Sequence, residues 1–387
     1  MNRTRRAVLA TAAVASAALA VLLLTSFSHN TEGPLATALD RLGGAVDSAE
    51  HSLRARVRGA ERRKALEWLQ AYRDSAARLR APEGMLLGAY CGSELETLGK
   101  IVELEGRLKT RMPLVQIYTA WGDRAEHEFP YRSAIAIWNM GSVPVITWEP
   151  WLSVFDNVGH PRLPLRELRD HHGLAAVGRG DYDFYIDRWA AAAARFERPL
   201  FLRFAHEMND PYRYPWGPQN NTKEEFIAAW RHVVSRFRAA RADNVVWVWS
   251  PHVAHEYWDL YFPGDEYVDW VATGALNYGA IAYWSRWWTF DEIFGMKYQR
   301  LATFGKPIMI AELGSLGGGQ ERARWYGDAL RSLDVRFPQV KALLFFHTPG
   351  DQTVTYQRVD WTVIGDDALA QTIADAIRPY DRSRSGR

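Results

Sequence analysis

The sequence predicts a (β/α)₈ barrel, and three observations carry that expectation. From Met85 onward, short apolar runs alternate with longer segments of helical spacing, the texture of repeated βα units. Eight such runs can be counted, the number that closes a barrel. Two of them end in a glutamate, Glu207 and Glu312. An apolar strand is an unfavourable place for a carboxylate unless the site uses it, and in such barrels the C-terminal strand ends form one cleft.

The elements follow in order. Residues 1–30 carry Arg3, Arg5 and Arg6 ahead of an apolar run from Ala7 to about Leu24. This reads as a signal anchor or signal peptide that sends the remainder of the chain out of the cytoplasm, leaving it single-pass in the membrane or, if cleaved, secreted. Residues 31–82 are rich in Ala, Leu and Arg at loose helical spacing, and read as a basic helical stalk. The expected strands are 85–90, 114–119, 143–147, 200–204, 245–250, 270–275, 308–311 and 342–347. Amphipathic segments at 183–196, 223–240 and 290–304 are expected to be helices between them. The barrel is thus placed at 83–380, with a disordered tail at 381–387.

Composition narrows the function. The 387 residues hold one ordinary barrel with an appendage, and a net charge of +2 argues against nucleic acid as a partner. The single cysteine, Cys91, excludes an intrachain disulfide or a cysteine zinc site. Trp is as frequent as Tyr, at 17 each, although it is normally the rarest aromatic; flat indole faces suit sugar rings. Neither His206-Glu207 nor His255-Glu256 completes H-E-x-x-H, since positions 210 and 259 are Asp. The pairs His171-His172 and His252/His255 are read as surface or hydrogen-bonding residues, and no metal or cofactor is expected. A monomer acting on polysaccharide is the expectation, with the membrane met only through the N-terminal segment.

Around Glu207, the groups Arg203, His206 and Asn209 crowd one strand end, and Gly314 lets the chain turn away after Glu312. Two carboxylates facing one cleft are the minimum equipment for cutting a glycosidic bond. Arg203-Phe-Ala-His-Glu-Met-Asn209 followed by Tyr214-Pro-Trp-Gly217 resembles the strand-four signature of glycoside hydrolase family 26. Pro307-Ile-Met-Ile-Ala-Glu-Leu-Gly314, Val245-Val-Trp-Val-Trp-Ser-Pro251 and Tyr261-Phe-Pro-Gly-Asp265 fit the same family.

The resemblance covers about 84–377 and implies retaining chemistry on β-linked polysaccharides. These are chiefly β-1,4-mannans, in some members mixed-linkage β-glucan or β-1,3-xylan. It implies Glu207 as acid/base, Glu312 as nucleophile, His206 and Trp216 beside the acid/base, and Tyr278 hydrogen-bonded to the nucleophile. Arg203 and Asn209 are expected in the same site, and Trp121, Trp148, Trp151 and Trp284 in further sugar subsites. At the end of strand eight Phe345-Phe-His347 stands where members often carry tryptophan, which makes Phe345 a smaller platform for the reacting sugar. Endo-cleavage of mannan is the leading expectation. The alternatives are mixed-linkage glucan, an exopolysaccharide of the cell itself, or a non-catalytic carbohydrate-binding barrel.

Overall fold

The computed structural model describes residues 59–93, 97–252, 254–352 and 357–382. The chain divides into a unit Met1–Glu61 and a unit Arg62–Arg387. The anchor at 1–30 lies outside the described residues, as do the greater part of the stalk and residues 383–387 of the tail. Among the described residues no helix is long and apolar enough to cross a membrane.

Eight parallel strands close a barrel in sequence order. They are β1 (Leu86–Tyr90), β2 (Leu114–Ala120), β3 (Val143–Glu149), β4 (Leu200–Phe204), β5 (Val245–Trp249), β6 (Trp270–Asn277), β7 (Ile308–Ser315) and β8 (Val340–Phe346). Each falls on an expected run, because parallel strands covered on both faces must be apolar on both. Helices Asp183–Phe196 and Lys223–Ala239 match the expected segments. Thr222 starts the second: its Oγ1 accepts from Glu225 N at 3.2 Å while its own N donates to Glu225 Oε2 at 2.8 Å. The expected helix at 290–304 opens with one π-type turn, Asp291–Gly295, before Met296–Ala302.

Between β5 and β6 the described residues form only two 3₁₀ turns, Trp258–Tyr261 and Asp265–Tyr267. Pro263 and Gly264 interrupt any longer helix there. Buried Trp258 fills part of the gap, 6.1 Å from Trp249 between ring centroids.

Strand side chains alternate between the barrel interior and the outer layer against the helices. Val143 and Val145, Phe201, Val246 and Val248, Ala342 and Leu344 share the interior cluster. Ile146, Trp148, Leu202, Phe204, Trp247, Trp249, Leu343 and Phe345 belong to the outer one. The barrel's interior cluster also takes in Leu69, Tyr72 and Leu79. Trp270 Nε1 donates to Leu79 O at 2.8 Å, and Arg80 Nε lies 3.0 Å from Asp269 Oδ1. Residues 62–82, read from sequence as stalk, therefore floor the barrel. Their Ala- and Arg-rich composition hides a narrow apolar face of widely spaced residues, Leu69, Tyr72 and Leu79.

Candidate active site

The C-terminal strand ends bring Glu207 and Glu312 together. Glu312 sits on β7, where pairing with β6 skips a residue: Thr273 faces Ile310, and Gly274 faces Glu312. Simple alternation inward from Met309 would send position 312 outward. The irregularity turns it in, as bulges beside active sites often do. Glu312 Oε1 then accepts from Tyr118 Oη at 2.6 Å and from Arg203 Nη2 at 2.7 Å. Arg203 is itself fixed by Thr147 Oγ1, 2.9 Å from its Nε, and is 1% exposed. Burial disfavours its charge, but Tyr118 and Glu312 more than restore it. Burial also holds the Tyr118 hydroxyl protonated, its pKa well above the ordinary value. Both donors meet the same carboxylate oxygen and fix its orientation.

Glu207 lies just past β4, where Ala205 and Glu207 adopt left-handed φ of 43° and 53°. Such backbone costs about 1–3 kcal/mol per non-glycine residue and persists only where neighbours enforce it. Here Ala205 N donates to Trp148 O at 3.1 Å and Glu207 N to Ser250 O at 2.7 Å. The carboxylate is 3.0 Å from Arg213 Nη1 and 4.0 Å from His252 Nε2. Burial raises its pKa, Arg213 lowers it and Glu312 raises it again, leaving it at about 7. The two carboxyl groups thus differ in surroundings: burial raises the Glu207 pKa, while Glu312 is paired with Arg203 and Tyr118.

A Cβ added at Gly274 would lie 3.9 Å from Glu207 Oε1 and 3.9 Å from Glu312 Oε2. Those two oxygens are therefore at most twice that distance apart, with glycine leaving open the space between them.

The other expected site residues divide. His206 is buried, with Nε2 3.1 Å from Tyr214 Oη and Nδ1 4.0 Å from Glu149 Oε1. Trp216 donates to His206 O at 2.7 Å and is 2% exposed, stacked on Tyr214 at 4.5 Å. Trp151 donates to Glu149 Oε2 at 3.0 Å and meets Trp216 edge-on at 5.3 Å. Tyr278 is at the site, but its Oη lies 3.5 Å from Arg213; the hydrogen bond expected from it to Glu312 comes from Tyr118. Trp284 is half exposed, tilted over Tyr278 at 5.0 Å.

Three expected sugar platforms fail. Trp121 and Trp148 are fully buried in the outer cluster, 4.6 Å apart, so neither is a sugar platform. Phe345 points outward into the same cluster; inward-facing Phe346 stacks on Tyr90 at 5.3 Å. Asn209 spends its amide on His252, accepting from its N and donating to its O, both at 2.8 Å.

Tyr118, Arg213, Gly274 and Trp361 were missed. Trp361 comes from the segment after β8 and packs edge-on against Tyr278 at 5.0 Å. Gln116 and Tyr118, two polar residues at alternate positions of apolar β2, were a legible signal for an inward polar face.

The family model of glycosyl hydrolase family 26 matches residues 124–318. The chain belongs to glycosyl hydrolase family 26. The match takes in both carboxylates with Arg203, Arg213 and Gly274 of the family 26 site. Endoglucanase H of Acetivibrio thermocellus is 33% identical over 68% of this chain and 28% of its own. Mannan endo-1,4-beta-mannosidase A and B of Caldalkalibacillus mannanilyticus is 25% identical over 36% of this chain and 26% of its own. The chain thus spans little more than a quarter of these relatives. Among solved structures, the family 26 beta-mannanase of Bacteroides ovatus superposes with a TM-score of 0.56 at 16% identity, over 83% of this chain and 94% of that one. An endo-beta-1,4-mannanase of Cellulomonas fimi gives 0.57 at 18%, over 84% and 76%. At these identities the likeness is one of fold.

Proposed function

We propose that the chain is a retaining endo-glycosidase of β-linked polysaccharide, working by double displacement between Glu312 and Glu207. The observation that carries the reading is two buried carboxylates in one cleft with different surroundings, Glu312 paired with Arg203 and Tyr118 and Glu207 raised by burial to a pKa of about 7. Glu312 attacks the anomeric carbon while Glu207 gives its proton to the departing glycosidic oxygen. Glu207, now ionised and held by Arg213, takes a proton from water, which attacks the anomeric carbon and frees Glu312. Tyr118 and Arg203 orient Glu312 throughout and balance the charge that returns to it.

The backbone sugar is the finer question. Mannan is the expectation from the resemblance, and the mannan endo-1,4-beta-mannosidase supports it over about a third of the chain. Endoglucanase H matches more of the chain at higher identity, which favours a second reading, a β-1,4- or mixed-linkage glucan. Export of the catalytic unit by the segment at 1–30 belongs to the same proposal, and protease accessibility on intact cells tests it.

Reducing-sugar release from mannan, lichenan, carboxymethylcellulose and β-1,3-xylan decides the substrate. Cleavage of mannan alone supports the first reading and of a glucan the second. No release from any of them by a folded chain leaves an exopolysaccharide of the cell itself as substrate, or a carbohydrate-binding barrel.

A further inference from the structure

Among the described residues, one trio has metal-ligand chemistry: Asp210, His252 and His255 offer ligand atoms within 4.8 Å of one another. Two turns deliver it. After β4, Asp210 N donates to Glu207 O at 2.9 Å; after β5, His255 N donates to His252 O at 3.3 Å. The two Asn209–His252 hydrogen bonds lock these turns together. The imidazole rings lie 4.7 Å apart at 39°.

Hydrogen bonding alone leaves the trio unfinished. Asp210 is 2% exposed, with Oδ1 accepting from Tyr212 N at 2.8 Å and standing a long 3.5 Å from His255 Nε2. Its Oδ2 faces Arg213 Nε at 3.4 Å. His252 Nδ1 is buried with no partner, and a native structure rarely leaves such an atom without use.

We propose that Asp210, His252 and His255 form an inhibitory site for a transition-metal dication of the zinc class, beside the acid/base carboxylate. Two imidazoles and one carboxylate with a fourth position open suit zinc, and copper(II) or nickel(II) after it. Calcium and magnesium prefer sets of oxygen ligands, and this trio supplies one carboxylate beside two imidazoles. The carboxylate can bridge, one oxygen toward Arg213 and the other on the ion. His252 Nε2 is 4.0 Å from Glu207 Oε1, so an ion held by Nδ1 leaves a polarised Nε2–H that draws the Glu207 carboxylate toward the ring and away from the leaving oxygen. Only this inhibitory half rests on the glycosidase reading.

The test is calorimetric titration of zinc chloride into the full chain after chelator treatment, with His255→Ala beside it. The expected result is saturable binding of one zinc per chain, weakened at least about tenfold in the variant, since loss even of a ligand's supporting partner has that effect. His255 does not touch Glu207 or Glu312, so the variant keeps its metal-free activity and melting temperature while losing sensitivity to zinc. Absence of saturable binding overturns the site. So does equal affinity in a variant of unchanged melting temperature, which would place zinc elsewhere, as at His160–Asp123 or His172–Glu225. Zinc bound at the trio without loss of turnover overturns the inhibition and keeps the site. Failure to cut any polysaccharide would count against the proposed function, while calorimetry still decides the site.

Discussion

Arg213 stands 3.0 Å from Glu207, a carboxyl group that starts protonated in the proposed mechanism. Its cation works against that proton, and burial together with the charge of Glu312 outweighs it. Activity that depends on the acid form falls as pH rises through the Glu207 pKa, so kcat/KM should show a basic limb near pH 7. Removing the cation in Arg213→Gln makes the ionised form less favourable, and the limb should move to higher pH. An unmoved limb in the pH profile would mean that Arg213 does not set it. Glu207→Ala should lose about 10²–10⁴-fold on polysaccharide, yet far less on aryl glycosides whose leaving groups need no proton. Rates measured on the two substrate types separate the acid from a structural residue. The two glutamates and Arg203 were legible because polar groups at the end of an apolar run are conspicuous. Arg213 was not, because a charged residue in a loop carries no such contrast until the fold folds it back.

At the scale of the strand, β7 carries the decisive irregularity. Its skip between Ile310 and Glu312 aims the glutamate inward beside Gly274 of β6, where only hydrogen leaves the space between the carboxylates open. Gly274→Ala would place its methyl at ordinary contact distance from both, 3.8 Å from Glu312 Cβ at the closest. The melting temperature should therefore change little while kcat falls by about tenfold or more, since small displacements of reacting groups are costly. Equal kcat would show that the space is not used. Strand positions were readable as apolar runs, but which residues face inward was not read from them. Applying the two-residue period from Val145 and Thr147 places Trp148 outward, and from Ala342 and Leu344 it places Phe345 outward. The bulge itself has no sequence signature here; it depends on how two strands pair.

Across the whole unit, stability depends on a floor that composition concealed. Arg62 is buried against Glu105, with Nη2 2.6 Å from Oε1 and Nε 2.9 Å from Oε2. It also donates to Met112 O and Ser142 Oγ, and Glu105 accepts from Met112 N, so the pair is well satisfied. Arg62→Ala leaves Glu105 as an unpaired buried charge and should lower unfolding free energy by about 3–5 kcal/mol in denaturant titration. Joint replacement by Arg62→Met and Glu105→Leu should lose much less, since no charge is stranded. Equal losses would mean that packing, not charge, makes the floor. The barrel was legible from eight runs and two glutamates. Its missing helix after β5 and its floor were not, because both depend on tertiary contacts among short segments of ambiguous pattern. What the molecule does with that frame turns on whether Glu312 forms a covalent intermediate. The most direct measurement is proton NMR of the anomeric signal in the first product released from the polysaccharide the chain cuts. Double displacement predicts that the β-anomer appears first and then mutarotates. Initial appearance of the α-anomer would contradict the assignment of Glu312 as nucleophile and Glu207 as acid/base.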